Sequence, residues 1–246
     1  MYGICNLSII PVRISNSEKS EMINQLLYGD IIEILEIKDK WSKIKSIFDN
    51  YIGWINNKQY LNIKDKSLIK TENLLFSADL VEFIENEKKE LFTITLGSNI
   101  SNIDFLNHKF EGNLVKGKQD KDSIINTALK FLHTPYLWGG KTPFGIDCSG
   151  FTQMVYKING YKLFRDAKDQ ANQGKTLSFI EESEPGDLAF FKNEIGEIIH
   201  VGIILKDNHI IHASGSVRID RIDHNGIYNN DQNKHTHSLR FLKKII

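Results

Sequence analysis

Tyr136-Leu-Trp-Gly-Gly-Lys-Thr-Pro-Phe-Gly-Ile-Asp-Cys-Ser-Gly-Phe151 decides how this chain is read. It holds Cys148, one of two cysteines, between an aromatic, glycine-rich segment and an amphipathic run. Phe151, Met154, Val155 and Ile158 fall at i, i+3, i+4 and i+7, which predicts a helix with one buried face. Asp147, after the turn-like Thr142-Pro-Phe-Gly145, stands at the N-cap position. Cys148 then lies in the first turn, where free N–H groups and the helix dipole favour negative charge. A thiol there is expected to ionise more easily, and the thiolate is the nucleophile. The competing reading of a lone cysteine is a small buried hydrophobe. Four nearby glycines (Gly139, Gly140, Gly145 and Gly150) and downstream histidines favour the catalytic one.

Those histidines sit on strand-like segments, His200-Val-Gly-Ile-Ile-Leu205 and His209-Ile-Ile-His-Ala-Ser214. A hairpin across Lys206-Asp207-Asn208 would pair positions summing to 414, setting His200 opposite Ser214 and His212 opposite Gly202. His200 and His212 then share one face as diagonal neighbours, about 7–8 Å apart, while His209 points the other way. Acyl transfer by a thiol needs a base beside it and a second polar group to orient that base. This assigns Cys148 as nucleophile, His200 as base and later acid, and His212 as the orienting third member. Their wide separation lacks the tight spacing of zinc motifs, so neither metal nor organic cofactor is expected. His108, His133, His224, His235 and His237 have no assigned partner.

Asp147-Cys-Ser-Gly-Phe151, with Pro135-Tyr-Leu-Trp-Gly-Gly140 before it, resembles the NlpC/P60 cysteine peptidases, which cut cell-wall peptides. The resemblance continues through Arg165-Asp-Ala167, Pro185-Gly-Asp-Leu188, His200-Val-Gly-Ile203 and His212-Ala-Ser214, in the family's order, over roughly the second half of the chain. It implies a papain-like α+β catalytic domain and gives Cys148, His200 and His212 the same three roles. It also implies that Tyr136 flanks the cysteine, that Asp147 and Ser149 contact substrate, and that Asp166 faces a substrate amine. Many relatives carry serine where this chain has Ala167, which removes one hydrogen bond. For the oxyanion hole the candidates are the backbone N–H of Cys148 and Tyr136.

At 246 residues the chain has room for one large domain or two to three small ones. Its 41% hydrophobic and 25% charged residues are ordinary for a soluble globular protein. A formal charge of zero provides no global field for nucleic acid or an anionic membrane. Two cysteines make no disulfide framework, and reduced thiols suit a cytoplasmic compartment. The beginning, Met1 to Ile10, has no basic n-region or sustained apolar run, and no eighteen-residue apolar stretch occurs. The expectation is a cytoplasmic protein without membrane insertion.

Residues 1–62 read as short strands: Leu7 to Ile14, interrupted by Pro11, then Ile31 to Ile37, Trp41 to Ile47 and Tyr51 to Ile55. Ser20 to Leu27 reads as a helical turn or more. Strands at such close intervals indicate a small β-barrel, and the pattern resembles a bacterial SH3-type (SH3b) domain. Residues 66–115 resemble a second, degenerate SH3b-like unit, Glu111 to Asp122 reads as an exposed linker, and 116–246 is the expected peptidase domain.

In peptidases of this family that recycle wall peptides, an acid and a tyrosine of the first SH3b domain help hold the free N-terminal amine. By position in the motif these are Glu21 and Tyr51, and both oxygens can accept from an ammonium. The implied reaction cuts between γ-D-glutamate and the L-diamino acid (lysine or diaminopimelate) of a murein peptide with a free N-terminal L-Ala, through a thioester. Two other readings stand beside it. One is a murein hydrolase or amidase tethered to the wall by its SH3b domains. The other is a non-catalytic wall-peptide-binding protein.

Overall fold

A computed structural model describes all residues, 1–246. The chain divides into two compact units: Met1–Lys118 with Trp138–Pro143, and Gln119–Leu137 with Phe144–Ile246. No helix is long and apolar enough to cross a membrane.

The first unit is built on seven antiparallel strands: β1 (Tyr2–Ile4), β2 (Ile9–Arg13), β3 (Met22–Leu27), β4 (Ile31–Lys38), β5 (Trp41–Ser46), β6 (Ile52–Asn56) and β7 (Leu61–Ile63). They lie in the order β3-β2-β6-β5-β4-β1-β7. Period-2 alternation sends neighbouring residues of one strand to different cores. Ile32 and Ile34 of β4 join Ile10, Val12, Ile44 and Ile55, while Ile31 joins Ile4, Tyr28 and Ile63. Beside Pro11, the register of β2 slips between Val12 and Arg13. Ser20 to Leu27 is not helical. Met22–Leu27 is a strand paired along β2, from Ile9↔Leu27 to Arg13↔Met22, because the sheet buries four consecutive residues there.

Four further strands complete this unit: β8 (Leu75–Ser77), β9 (Val81–Glu85), β10 (Leu91–Thr95) and β11 (Leu114–Lys116). Their buried residues Ile84 and Ile94 share the core of Ile4, Tyr28 and Ile31. The stretch expected as an exposed linker contains β11, which pairs with β8 through Val115↔Phe76. So short a strand shows too little alternation to be read from sequence. The segment Trp138–Pro143 carries the two-residue strand β12 (Lys141–Thr142), and the Lys141 amide donates to Gln25 Oε1 at 2.8 Å.

The second unit opens with α1 (Lys121–Lys130), capped by Asp120, whose carboxylate accepts from the Ser123 amide at 2.9 Å. After β13 (Gly145–Ile146) come α2 (Cys148–Ile158) and the single turn α3 (Ala167–Gln170). Then follow β14 (Lys175–Leu177), β15 (Leu188–Lys192), β16 (Ile198–Ile204), β17 (His209–Ser214), β18 (Ser216–Asp223), β19 (Gly226–Asn229) and β20 (Lys234–Lys244). The sheet order is β14-β20-β15-β16-β17-β18-β19, and a β19–β20 pairing closes six strands into a ring. Helix α2 packs on β16 and β17 and against α1, where Phe131 and Phe151 meet edge to face at 5.9 Å. All eleven residues of α2 are buried, not one face alone. Its polar members are therefore bonded: Thr152 Oγ1 donates to Gln170 Oε1 at 2.7 Å, and Gln153 Nε2 to the Leu163 carbonyl at 3.1 Å.

One backbone contact joins the first and later strands of the first unit. Gly29 sits at φ +78, its amide donates to the Cys5 carbonyl at 2.8 Å, and the Asn99 amide donates to the Tyr28 carbonyl at 2.8 Å. A Cβ on Gly29 would collide with the Asn99 carbonyl oxygen. Gly29→Ala is expected to cost about 2 kcal/mol or more, from the positive φ and the collision together. Denaturant unfolding followed by Trp41 and Trp54 fluorescence measures it.

Candidate active site

The site begins at the head of α2. Asp147, in extended conformation, caps the helix through the Gly150 amide at 2.7 Å. Its carboxylate is also held by Arg165, Nη1 to Oδ1 at 2.9 Å and Nη2 to Oδ2 at 2.5 Å. Arg165 Nη1 reaches Ser149 Oγ as well, at 2.9 Å. All three residues are buried. Planar, bidentate pairing suits a guanidinium and a carboxylate removed from water.

Cys148 follows directly, in the first turn as expected, and is 7% exposed. Burial, and then the Asp147 charge, push its thiol up to about 12. The amides of Val201 and Ser149 and the charge of Arg165 work in the opposite direction without overcoming them. The helix terminus alone had pointed to easier ionisation; desolvation of the thiolate outweighs it. Burial likewise drives His200 well below the usual imidazole range, with His212 and His237 adding to the effect. The resting pair is a neutral thiol and a neutral imidazole.

The predicted hairpin register is the observed one: Gly202↔His212, Ile203↔Ile211 and Ile204↔Ile210. His200 Nε2 lies 2.8 Å from His212 Nδ1, with the rings nearly perpendicular at 86°. Two residues that the sequence reading did not place in the site complete this cluster. Asp220 of β18 places Oδ2 at 3.0 Å from His212 Nε2. His237 of β20, read from sequence as having no partner, stacks on His200 with ring centroids 4.2 Å apart and 30° between planes. Burial and the neighbouring His212 push His237 down to about 4, with Asp220 opposing.

Tyr136 lies next to β13, its amide donating to the Gly215 carbonyl at 2.9 Å and its backbone bridging Ile146. Burial and the charges of Cys148 and Asp147 push its phenol up to about 12, so it is a hydrogen-bond donor at neutral pH. Asp166 stands at the N-cap of α3, where its backbone carbonyl, and not its carboxylate, accepts the capping bonds. Glu21 and Tyr51 belong to the first unit. Glu21, exposed before β3, accepts from Trp138 Nε1 at 2.6 Å. Tyr51, half-buried before β6, donates its amide to Asp49 Oδ1 at 3.1 Å.

In this site a cysteine heads a buried helix beside the Val201 amide, and the strand histidine before that amide is bonded to a second one. The NlpC/P60 family matches residues 133–238, and the bacterial dipeptidyl-peptidase Sh3 domain matches residues 12–59. The probable endopeptidase NlpC of Escherichia coli (strain K12) is 39% identical over 107 residues, 42% of this chain and 69% of that protein. The chain belongs to the NlpC/P60 family. It is a cysteine hydrolase with an SH3-type β domain before the peptidase fold. The gamma-D-glutamyl-L-lysine dipeptidyl-peptidase of Bacillus cereus (strain ATCC 10987 / NRS 248) is 26% identical over 238 residues, 83% of this chain and 70% of that protein. The crystal structure of an NlpC/P60 family protein from Bacillus cereus ATCC 10987 shares the fold, with a TM-score of 0.81, 18% identity and coverage of 100% and 99% of the two chains.

Two outcomes follow from the buried groups of this NlpC/P60 site. Arg165→Leu leaves the Asp147 carboxylate buried without its guanidinium, and is expected to cost roughly 3–5 kcal/mol in chemical unfolding. His237 is held below its unfolded value, from 6.5 to about 4, so the unfolded chain takes up a proton that the folded one refuses. Its contribution therefore lowers stability progressively as pH falls from about 6.5 to about 4. His237→Phe keeps a stacked ring and removes this term. Thermal melts across that window should show a shallower slope in the variant, with His200 and His108, both also lowered by burial, contributing to what remains.

Proposed function

We propose that this enzyme hydrolyses the amide between γ-D-glutamate and the L-diamino acid, lysine or diaminopimelate, of murein peptides that carry a free N-terminal L-Ala. It would release L-Ala-γ-D-Glu in the recycling of wall peptides. In this reading residues 1–62 form an SH3b-like barrel, 66–115 a second, degenerate SH3b-like β unit, and 116–246 the peptidase domain. The observation that carries the reaction is the 2.8 Å contact of His200 with His212, beside a cysteine whose sulfur meets the Val201 amide. The named activity of the Bacillus cereus relative, matched over 83% of this chain, supports the bond.

The chemistry starts from neutral partners. Cys148 gives its proton to His200 as the sulfur attacks the amide carbon, so that charge develops on both at once instead of on a lone buried thiolate. The Cys148 amide, at the helix N-terminus, and the Tyr136 hydroxyl are the donors available to the carbonyl oxygen as it becomes negative. His212 holds the His200 imidazolium. Collapse of the tetrahedral adduct breaks the C–N bond, and His200 returns the proton to the leaving amine of the diamino acid. The γ-glutamyl thioester on Cys148 is then attacked by water, whose proton goes to His200, and the thiol is restored.

Amine recognition draws on Glu21, Tyr51 and Asp166, whose oxygens accept from an ammonium. The Trp138 indole occupies one position on the Glu21 carboxylate and leaves others open. Asp147 and Ser149, tied to Arg165 on either side of the cysteine, are the residues that contact substrate there.

The test compares L-Ala-γ-D-Glu-L-Lys with its N-acetylated form by mass spectrometry. Release of L-Ala-D-Glu from the free peptide alone is expected. Equal cutting of both would overturn the roles of Glu21, Tyr51 and Asp166 in favour of a broader wall hydrolase, and no cutting of either would favour a binding protein. Cys148→Ala is expected to lower kcat by about 10⁴-fold or more.

A further inference from the structure

Arg218 grips the carboxylate of Asp220 from the same strand, Nε to Oδ2 at 2.8 Å and Nη2 to Oδ1 at 2.9 Å. Nη2 also reaches Asp231 Oδ2 at 2.7 Å. Asp220 is 2% exposed. Burial alone would raise its carboxyl, but the hydrogen bonds from His212 and Arg218 outweigh it and hold the group below the usual carboxylate range. An ionised carboxylate only accepts. The 3.0 Å contact with His212 is therefore donated by the ring, from Nε2–H.

The rest follows by proton count. With a single proton on each ring, that of His212 sits on Nε2 and its Nδ1 presents a lone pair. The 2.8 Å contact at that atom must then be donated by His200 Nε2–H, which leaves Nδ1 of His200 unprotonated. That nitrogen alone can take the thiol proton. In the opposite arrangement His212 carries its proton on Nδ1, sets a lone pair against the Asp220 carboxylate, and leaves the His200 proton on Nδ1. His200 could then accept nothing there. Strand pairing makes the contact possible, since His212 lies opposite Arg218, and Asp220 is two residues further along β18 on the same face.

We propose that Asp220, clamped by Arg218, is a positioning residue that sets the tautomers of both histidines and so selects the nitrogen of His200 that acts as base. This rests on the reading of Cys148 and His200 as nucleophile and base. Its negative charge also stabilises the imidazolium formed on His200, across His212. The other titratable or charged groups around the pair are His237 from β20, Cys148 and Asp147 at the head of α2, and Arg165 paired to Asp147.

Asp220→Asn is the direct test, because an amide can offer N–H to His212 Nε2 and invert the relay. In the folded variant, kcat should fall about a hundredfold or more with KM changed by less than about threefold. The acidic limb of kcat/KM, set by protonation of the His200 base, should move to lower pH. Arg218→Gln keeps the carboxylate but frees it, and should show a smaller loss in the same direction. Nitrogen-15 NMR of the wild-type enzyme should find both His212 and His200 protonated on Nε2, a readout independent of whether Asp220→Asn folds. A folded Asp220→Asn with wild-type kcat and pH limbs would overturn the proposal, as would a wild-type His212 protonated on Nδ1. Alkylation of Cys148 by iodoacetamide in His200→Ala separates the two readings. An unchanged rate there sinks His200 as base, whereas a slowed rate beside an unaffected Asp220→Asn sinks only the role of Asp220.

Discussion

The buried pair of Asp147 and Arg165 is the interaction on which the catalytic unit depends. It ends an extended segment, caps α2 and fixes where the first helical turn begins, which is where Cys148 stands. A helix buried on all sides has little tolerance for a shifted start, since a rotation of one residue would turn the sulfur by about 100°. Arg165 also engages Ser149, so one guanidinium holds the residues on both sides of the cysteine. The cost of burying these charges is offset because each is met by several hydrogen bonds.

The second constraint is strand parity. The loop Lys206-Asp-Asn208, closed by the Leu205 amide donating to the His209 carbonyl, pairs Gly202 with His212, and alternation then puts His200 and His212 on one face. A slip of one residue would separate them to opposite sides of the sheet. This part was legible because only local quantities were needed: apolar runs, a turn-like Lys206-Asp-Asn208, and a count. The start of α2 was legible for the same reason. Strands β4 to β6 were readable from alternation, whereas Met22–Leu27 was not. Its apolar residues fit helical spacing equally well, and only pairing with β2 decides between the two.

What stayed hidden was carried by distant chain. Asp220 lies in Arg218-Ile-Asp-Arg-Ile-Asp223, four charged residues in six, which looks solvated in sequence. It is buried where pairing of β18 with β17 sets it against His212, a tertiary fact. His237 reaches His200 because β20 pairs with β14, β15 and β19. No spacing in the sequence places residue 237 over residue 200. The same holds for the thiol: a helix terminus is a local feature that lowers its pKa, while burial is a property of the whole fold and raises it more.

These features fit one electrostatic scheme. Two buried carboxylates flank the reacting groups, and each is held bidentately by an arginine, Asp147 by Arg165 and Asp220 by Arg218. Between them lie a thiol and an imidazole that burial keeps neutral. Such a site stores no isolated charge at rest, so it avoids the desolvation cost that a standing thiolate would carry in the same place. In the proposed reaction, proton transfer creates an anion near Arg165 and the Val201 and Ser149 amides, opposed by the Asp147 charge, and a cation in line with Asp220 through His212. On the proposed reading the amides, Arg165 and Asp220 favour the separated charges while Asp147 opposes the anion, so this interior suits attack coupled to proton transfer, which leaves no lone thiolate beside that carboxylate.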